Sequence, residues 1–151
     1  MTFASAGVPL LARCSPPTTN SEGCASMIGY VTLGTNDLAR AAAFYDALVG
    51  AMGGQRFMES DRFIAWTTSP TAAGLGLTYP FNGEPATVGN GVMVALEAAS
   101  PAEVDRLYAK AIELGATDEG QPGERFPGFY AGYFRDLDGH KLNLFWMAQP
   151  A

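Results

Sequence analysis

The stretch Phe129-Tyr-Ala-Gly-Tyr-Phe-Arg-Asp-Leu-Asp-Gly-His-Lys-Leu-Asn-Leu-Phe-Trp146 decides the reading of this chain. Two runs rich in aromatic and aliphatic residues flank Asp136-Leu-Asp-Gly-His140, whose Asp and Gly supply turn geometry, so the stretch predicts a β-hairpin. The first strand spans Phe129 to Arg135 and has a strongly aromatic inner part. The second, Lys141 to Met147, alternates with period two. Leu142, Leu144 and Trp146 take one face, and Lys141, Asn143 and Phe145 the other. A polar Asn on an otherwise aromatic, apolar face predicts a strand that looks into a cavity.

Upstream of the hairpin, the grammar occurs twice. Ile28 to Leu33 reads as a strand with Ile28, Tyr30 and Thr32 on one face and Val31 and Leu33 on the other. Asn36 is the expected N-cap of a helix to about Val49, with Leu38, Ala41, Tyr45 and Leu48 at helical spacing. Short strands are expected over Gln55–Glu59, Arg62–Thr68 and Gly74–Tyr79. Pro80 to Gly91 has no periodicity and reads as a link. Val92 to Leu96 then predicts a strand, and Ser100-Pro-Ala-Glu103 is a capping box with proline at the first helical position. Val104, Leu107, Ala111 and Leu114 form its buried stripe, and Gly115 ends it. Thr117 to Glu119 is a short strand candidate, Gly120 to Gly128 a loop, and the hairpin closes the chain. Both halves read β-α-β-β-β. The fold class is α+β: two tandem βαβββ modules, 27–80 and 91–147, forming a curved, cup-shaped mixed sheet with helices outside.

Composition narrows the function. The 151 residues suit one domain, and 48% hydrophobic residues are enough for a core. Only 16% are charged, so some apolar surface is expected to be shared with a partner, most simply in a homodimer. A net charge of −6 with scattered Lys and Arg argues against nucleic acid or an anionic membrane as partner. No apolar run approaches the roughly 20 residues needed to span a bilayer. Residues 1–26 carry Pro9, Pro16, Pro17, both cysteines (Cys14 and Cys24) and no periodicity, and they make a poor signal peptide. They read as a disordered extension, or as sequence preceding a true start at Met27. A cytoplasmic, reducing location is expected, although Cys14 and Cys24 are placed to form a disulfide elsewhere.

Three segments carry a resemblance: Val31-Thr-Leu-Gly-Thr-Asn-Asp-Leu38 leading into Ala43-Phe-Tyr45; Leu77-Thr-Tyr79; and Phe134-Arg-Asp-Leu-Asp-Gly-His-Lys-Leu142. With the doubled β-α-β-β-β order, the chain resembles the vicinal oxygen chelate superfamily, which includes glyoxalase I, extradiol dioxygenases and bleomycin-resistance proteins. The resemblance covers Met27 to Met147 and implies the fold more than an activity. The family's enzymes hold a divalent metal on side chains projecting into the cup. Carried over residue by residue, the four ligand positions fall on Tyr30, Gly76, Met93 and Asn143. Such metals take imidazole nitrogen or carboxylate oxygen, so these four imply no family metal site and no cofactor. The only histidine, His140, is expected in a solvent-facing turn, with Asp136 and Asp138 as turn and register residues.

The faces expected to point into the cup carry Tyr30, Thr32, Trp66, Thr78, Met93, Asn143 and Phe145, a set suited to a mostly apolar small molecule. Arg125 is a candidate to reach over the mouth and hold an anionic group. The alternative is that these side chains pack the cup shut. Three function classes follow. The first is a metal-free small-molecule-binding protein of the glyoxalase/bleomycin-resistance type. The second is a metal-dependent lyase or dioxygenase using a non-standard site. The third is a metal-free enzyme with Tyr30 as acid or base, for which no partner base is visible.

Overall fold

A computed structural model describes residues 27–149. The chain runs β1 (Tyr30–Gly34), α1 (Leu38–Ala51), β2 (Gln55–Glu59), β3 (Phe63–Thr67), β4 (Gly74–Thr78), β5 (Val94–Glu97), α2 (Pro101–Glu113), β6 (Thr117–Phe126), β7 (Phe129–Arg135) and β8 (Lys141–Met147). The βαβββ order therefore occurs twice. The strands form two four-stranded halves with the same topology, β1-β4-β3-β2 and β5-β8-β7-β6. In each, the first strand pairs parallel to the last and the other neighbours are antiparallel. The expected α+β fold of two modules is present, and its sheet is divided into these two halves.

Each half buries one sheet face under its helix. Leu33, Ile64, Trp66, Leu75 and Leu77 meet Leu38, Ala41, Tyr45 and Leu48 of α1 in the first half. In the second, Phe134, Leu142 and Leu144 meet Val104, Leu107 and Ala111 of α2. The spacing of three and four along each helix gives one continuous stripe, and burying it is what makes short helices stable. At the start of α2 the Ser100 hydroxyl accepts from the Glu103 amide at 3.2 Å, as expected of a capping box, while the Glu103 carboxylate accepts from the Ala99 amide at 2.6 Å rather than from that of Ser100. The α1 cap differs from expectation. Asp37, not Asn36, accepts from Arg40 N at 3.0 Å. Asn36 instead exchanges two hydrogen bonds with the backbone of Ala86, at 2.7 and 3.1 Å, and pins the linker to the β1–α1 corner.

The largest departure is β6. The region expected as a loop from Gly120 to Gly128 continues the strand to Phe126. Register shifts near Gly120, Gly123 and Phe126 absorb the glycines and Pro122 as bulges. Because β6 is an edge strand, the missing Pro122 amide costs no ladder bond that a central strand would need.

The halves meet where α1 packs on α2, with Arg106 donating to the Ala51 carbonyl oxygen at 3.0 Å, and at the β7–β8 turn. Asp136 Oδ1 accepts from the amides of Asp138 and His140, at 3.0 and 2.8 Å, while its Oδ2 accepts from the Tyr45 hydroxyl of α1 at 2.7 Å. Arg40 of α1 pairs with Asp138 at 2.9 Å. His140 is not solvent-facing: it is 8% exposed, and its Nε2 lies 2.6 Å from the Gly34 carbonyl oxygen at the end of β1. The turn that shapes the hairpin also joins it to the first half. Residues 1–26, with Cys14 and Cys24, lie outside the described residues.

Candidate functional site

The sheet faces that carry no helix are the available platform, and strand alternation decides what stands on them. In the first half these positions are Tyr30, Thr32, Phe63, Ala65, Gly74, Gly76 and Thr78. Tyr30 is 64% exposed and stands edge-on to Phe63 with centroids 6.5 Å apart. Thr32 is exposed, and Thr78 turns its hydroxyl onto the carbonyl oxygens of Arg62 and Tyr79. Trp66 is not on this face. It is 1% exposed under α1, 5.8 Å from the Tyr45 ring, and donates its indole N–H to Asp46 at 2.8 Å. The Arg56 hydrogen bonds, chiefly, hold the Asp46 carboxyl below the usual range. A hollow of about 600 Å³ opens between Tyr30, Phe57 and the Thr67–Ala72 segment.

The second half is differently furnished. The β7–β8 register sets Arg135 opposite Lys141, Tyr133 opposite Asn143, Ala131 opposite Phe145 and Phe129 opposite Met147. Asn143 also lies beside Ala95 of β5. It is 2% exposed, and its Oδ1 is buried without a hydrogen-bond partner. A buried amide oxygen left unpaired costs on the order of 1–3 kcal/mol, so such a group is uncommon in a face that is merely packing. Glu119 of β6 takes Arg135 at 2.8 Å and Lys141 at 3.3 Å. The Arg135 hydrogen bond, helped by Lys141, holds its carboxyl below the ordinary range. Arg125 lies on β6, with its guanidinium 5.2 Å from the Tyr133 ring centroid, and Lys141 approaches the same ring at 5.6 Å. Phe126, Phe129 and Phe145 form a stack with centroids 4.8 and 5.8 Å apart. A second hollow, about 630 Å³, lies between Arg135, Lys141 and residues 88–93, including Met93.

Of the residues expected in the site, Met93, Asn143, Phe145 and Arg125 therefore belong to the second half's open face. Tyr30, Thr32 and Thr78 stand on that of the first. Tyr133, Arg135, Lys141, Glu119 and the Phe126–Phe129 pair were not foreseen. Period two along β7 places Tyr133 and Arg135 with Lys141 and Asn143, and that was the available signal.

The four positions to which the resemblance assigns metal ligands do not fit a divalent cation. Tyr30 offers an exposed phenol, Met93 a thioether and Asn143 a neutral amide. At Gly76 a Cβ would lie 2.8 Å from the Phe63 ring, so that ring fills the space a ligand side chain would need. Among the described residues no three His, Cys, Asp or Glu side chains are grouped to hold a metal ion. His140 is turned to the Gly34 carbonyl.

Two βαβββ halves, each with an open sheet face, define a glyoxalase-like protein. The chain belongs to the Glyoxalase/Bleomycin resistance protein/Dioxygenase superfamily, whose profile matches residues 27–144. A glyoxalase/bleomycin resistance protein from Albidiferax ferrireducens T118 is similar at 39% identity, with a TM-score of 0.73 over 80% of this chain and 98% of that one. A hypothetical protein from S. aureus is similar at 27% identity, TM-score 0.60, covering 82% and 99%. A lactoylglutathione lyase from Agrobacterium tumefaciens, at 24% identity and TM-score 0.60 over 80% and 92%, shares the fold. No curated protein matches the chain. No helix among the described residues is long and apolar enough to cross a membrane.

Proposed function

We propose that this protein binds a small, mostly apolar molecule on its helix-free sheet face, without the metal of its family's enzymes. The observation that carries this reading is Asn143: a buried amide oxygen with no partner, set among Tyr133, Phe145 and Ala95 on a face that otherwise offers aromatic surface. A polar group held in that state is costly, and a ligand whose entry moved the side chains covering it would relieve that cost. The donor set at the family's ligand positions supports the metal-free form. A lyase or dioxygenase acting through a Lewis acid would need imidazole or carboxylate ligands that these positions lack.

The reading includes a second copy of the chain. Tyr30, Phe57, Met93, Phe126 and Met147 are large apolar side chains left exposed, which a partner surface would cover. A homodimer that covers part of these faces would enclose the site, and sedimentation velocity reads its mass. The test of binding is a thermal-shift screen of small organic molecules on the full chain, repeated after chelation and dialysis. Stabilising hits should be unchanged by chelation. Hits that vanish with the chelator and return with a divalent metal would overturn the reading.

A further inference from the structure

Polarity changes steadily along the β7–β8 ladder. The cross-strand pairs run from two cations (Arg135 and Lys141), through two hydrogen-bonding groups (Tyr133 and Asn143), to Ala131 with Phe145 and Phe129 with Met147. Like charges directly opposite each other on a sheet are destabilising, so the first pair is a local cost. Glu119 reaches both cations but supplies one negative charge. Arg125 adds a third cation to the same face, over the Tyr133 ring. Three of the chain's nine Lys and Arg residues thus stand around Tyr133, in a protein of net charge −6. The other acids nearby are engaged elsewhere: Asp138 by Arg40 and Asp136 by Tyr45.

Resting on the reading that this face takes a small molecule, we propose that its ligand is an organic anion held in one orientation. The acid group docks at Lys141 and Arg135, in the hollow beneath residues 88–93, and the apolar body lies over Tyr133 and Phe145. Asn143 is the midpoint of that path, its amide oxygen buried just beneath the face and without a hydrogen-bond partner. Residues of one strand face repeat about every 6.6 Å, so Lys141 and Phe145 lie about 13 Å apart along the strand. Glu97 lies beside Phe145 in the parallel β5–β8 register and places an acid at the far end, which disfavours the reversed orientation.

Phenylpropanoate, its neutral amide phenylpropanamide, and acetate are the probes, titrated into the full chain and followed by calorimetry and amide NMR shifts. Phenylpropanoate should bind at least about tenfold more tightly than the amide, since a charge-assisted contact separates them. Its affinity should fall with added salt. Lys141→Gln should weaken phenylpropanoate about tenfold and leave the amide unchanged, and Arg125→Gln should act in the same direction. Lys141→Gln relieves the opposed cations, so the fold is not at risk, and Arg125→Gln provides an independent second variant. Equal affinity for acid and amide would overturn the anion while leaving apolar binding intact. Acetate binding as tightly as phenylpropanoate would overturn the placement of the body over Phe145. No binding by any probe would overturn both the anion and the use of this face.

Discussion

Tyr45 and Tyr108 are each the eighth residue of their helix, and each donates its hydroxyl to an aspartate. Each also lies against an aromatic ring from a sheet strand, Trp66 in the first half and Phe134 in the second. Their partners differ. Tyr108 bonds Asp118 on β6 of its own half at 2.6 Å, whereas Tyr45 reaches across to Asp136 in the hairpin turn of the other half. The same position in a doubled motif thus serves internal packing once and inter-module joining once. The open faces diverge as well. In equivalent ladders Gly76 lies beside Thr32, and Asn143 beside Ala95. The first half keeps that position bare, and the second keeps a buried amide there. The buried amide and the cation cluster stand in the second half, whose β7–β8 turn also receives Tyr45 and Arg40 from the first.

If the turn is the joint, Asp136→Ala should be the most damaging single change. It orphans the buried His140 amide, the part-buried Asp138 amide and the Tyr45 hydroxyl, so a loss of about 2–3 kcal/mol in urea unfolding is expected. A loss below about 1 kcal/mol would show that the Asp136 hydrogen bonds do not hold the halves together. Tyr45→Phe should cost about 2 kcal/mol, because it removes a hydrogen bond to a buried carboxylate.

Alkaline titration sharpens the same comparison. Burial first, and then Asp136, pushes the Tyr45 hydroxyl well above the ordinary tyrosine range. Burial and the Asp118 hydrogen bond push Tyr108 up to about 12. A raised folded value means the contribution is present in full below the unfolded value, near 10, and is lost as pH rises through the folded one. Stability should therefore decline from about pH 10 upward, with Tyr108 ionising near 12 in the folded protein and Tyr45 also held protonated well above the ordinary range. Ultraviolet absorbance monitored with circular dichroism separates them. Tyr45→Phe should remove more of the alkaline loss than Tyr108→Phe, and the opposite order would break the assignment of Tyr45 to the joint.

The sequence made the doubled fold legible because its signals were local. Turn residues bounded by alternating runs set β7 and β8 at the expected ends, and the Ser100 box set the start of α2. Where legibility failed, the deciding contact came from elsewhere in the chain. His140 is drawn inward by a carbonyl of β1, which nothing in its own turn announces. Glycines and Pro122 hid β6, whose pairing is rescued by bulges against β7. Trp66 was set on the wrong face because Phe63-Ile-Ala-Trp66 is apolar at every position, leaving period two nothing to distinguish. The site was half visible. Asn143 and Phe145 stood out in β8, but the cations of the site act through register with β6 and β7, which a single strand does not reveal.

The smallest expected effect is also the most diagnostic. Asn143 and Tyr30 were both placed on faces expected to point into the cup, yet the cross-strand neighbour of Asn143 is Tyr133, while Tyr30 packs on Phe63 in the other half. Asn143→Leu should therefore leave stability unchanged or raise it by up to about 1 kcal/mol, since an unpaired buried amide is exchanged for apolar volume. Tyr30→Phe should do little, because that hydroxyl belongs to an exposed side chain. The double change should equal the sum of the two within about 0.5 kcal/mol, as expected for sites without a shared partner. If instead Asn143→Leu destabilised the protein by 1–3 kcal/mol, as expected when a buried hydrogen bond is lost, the amide would be part of a closed core. The second half would then be packed as closely as the first, and the amide would carry no part of a binding face.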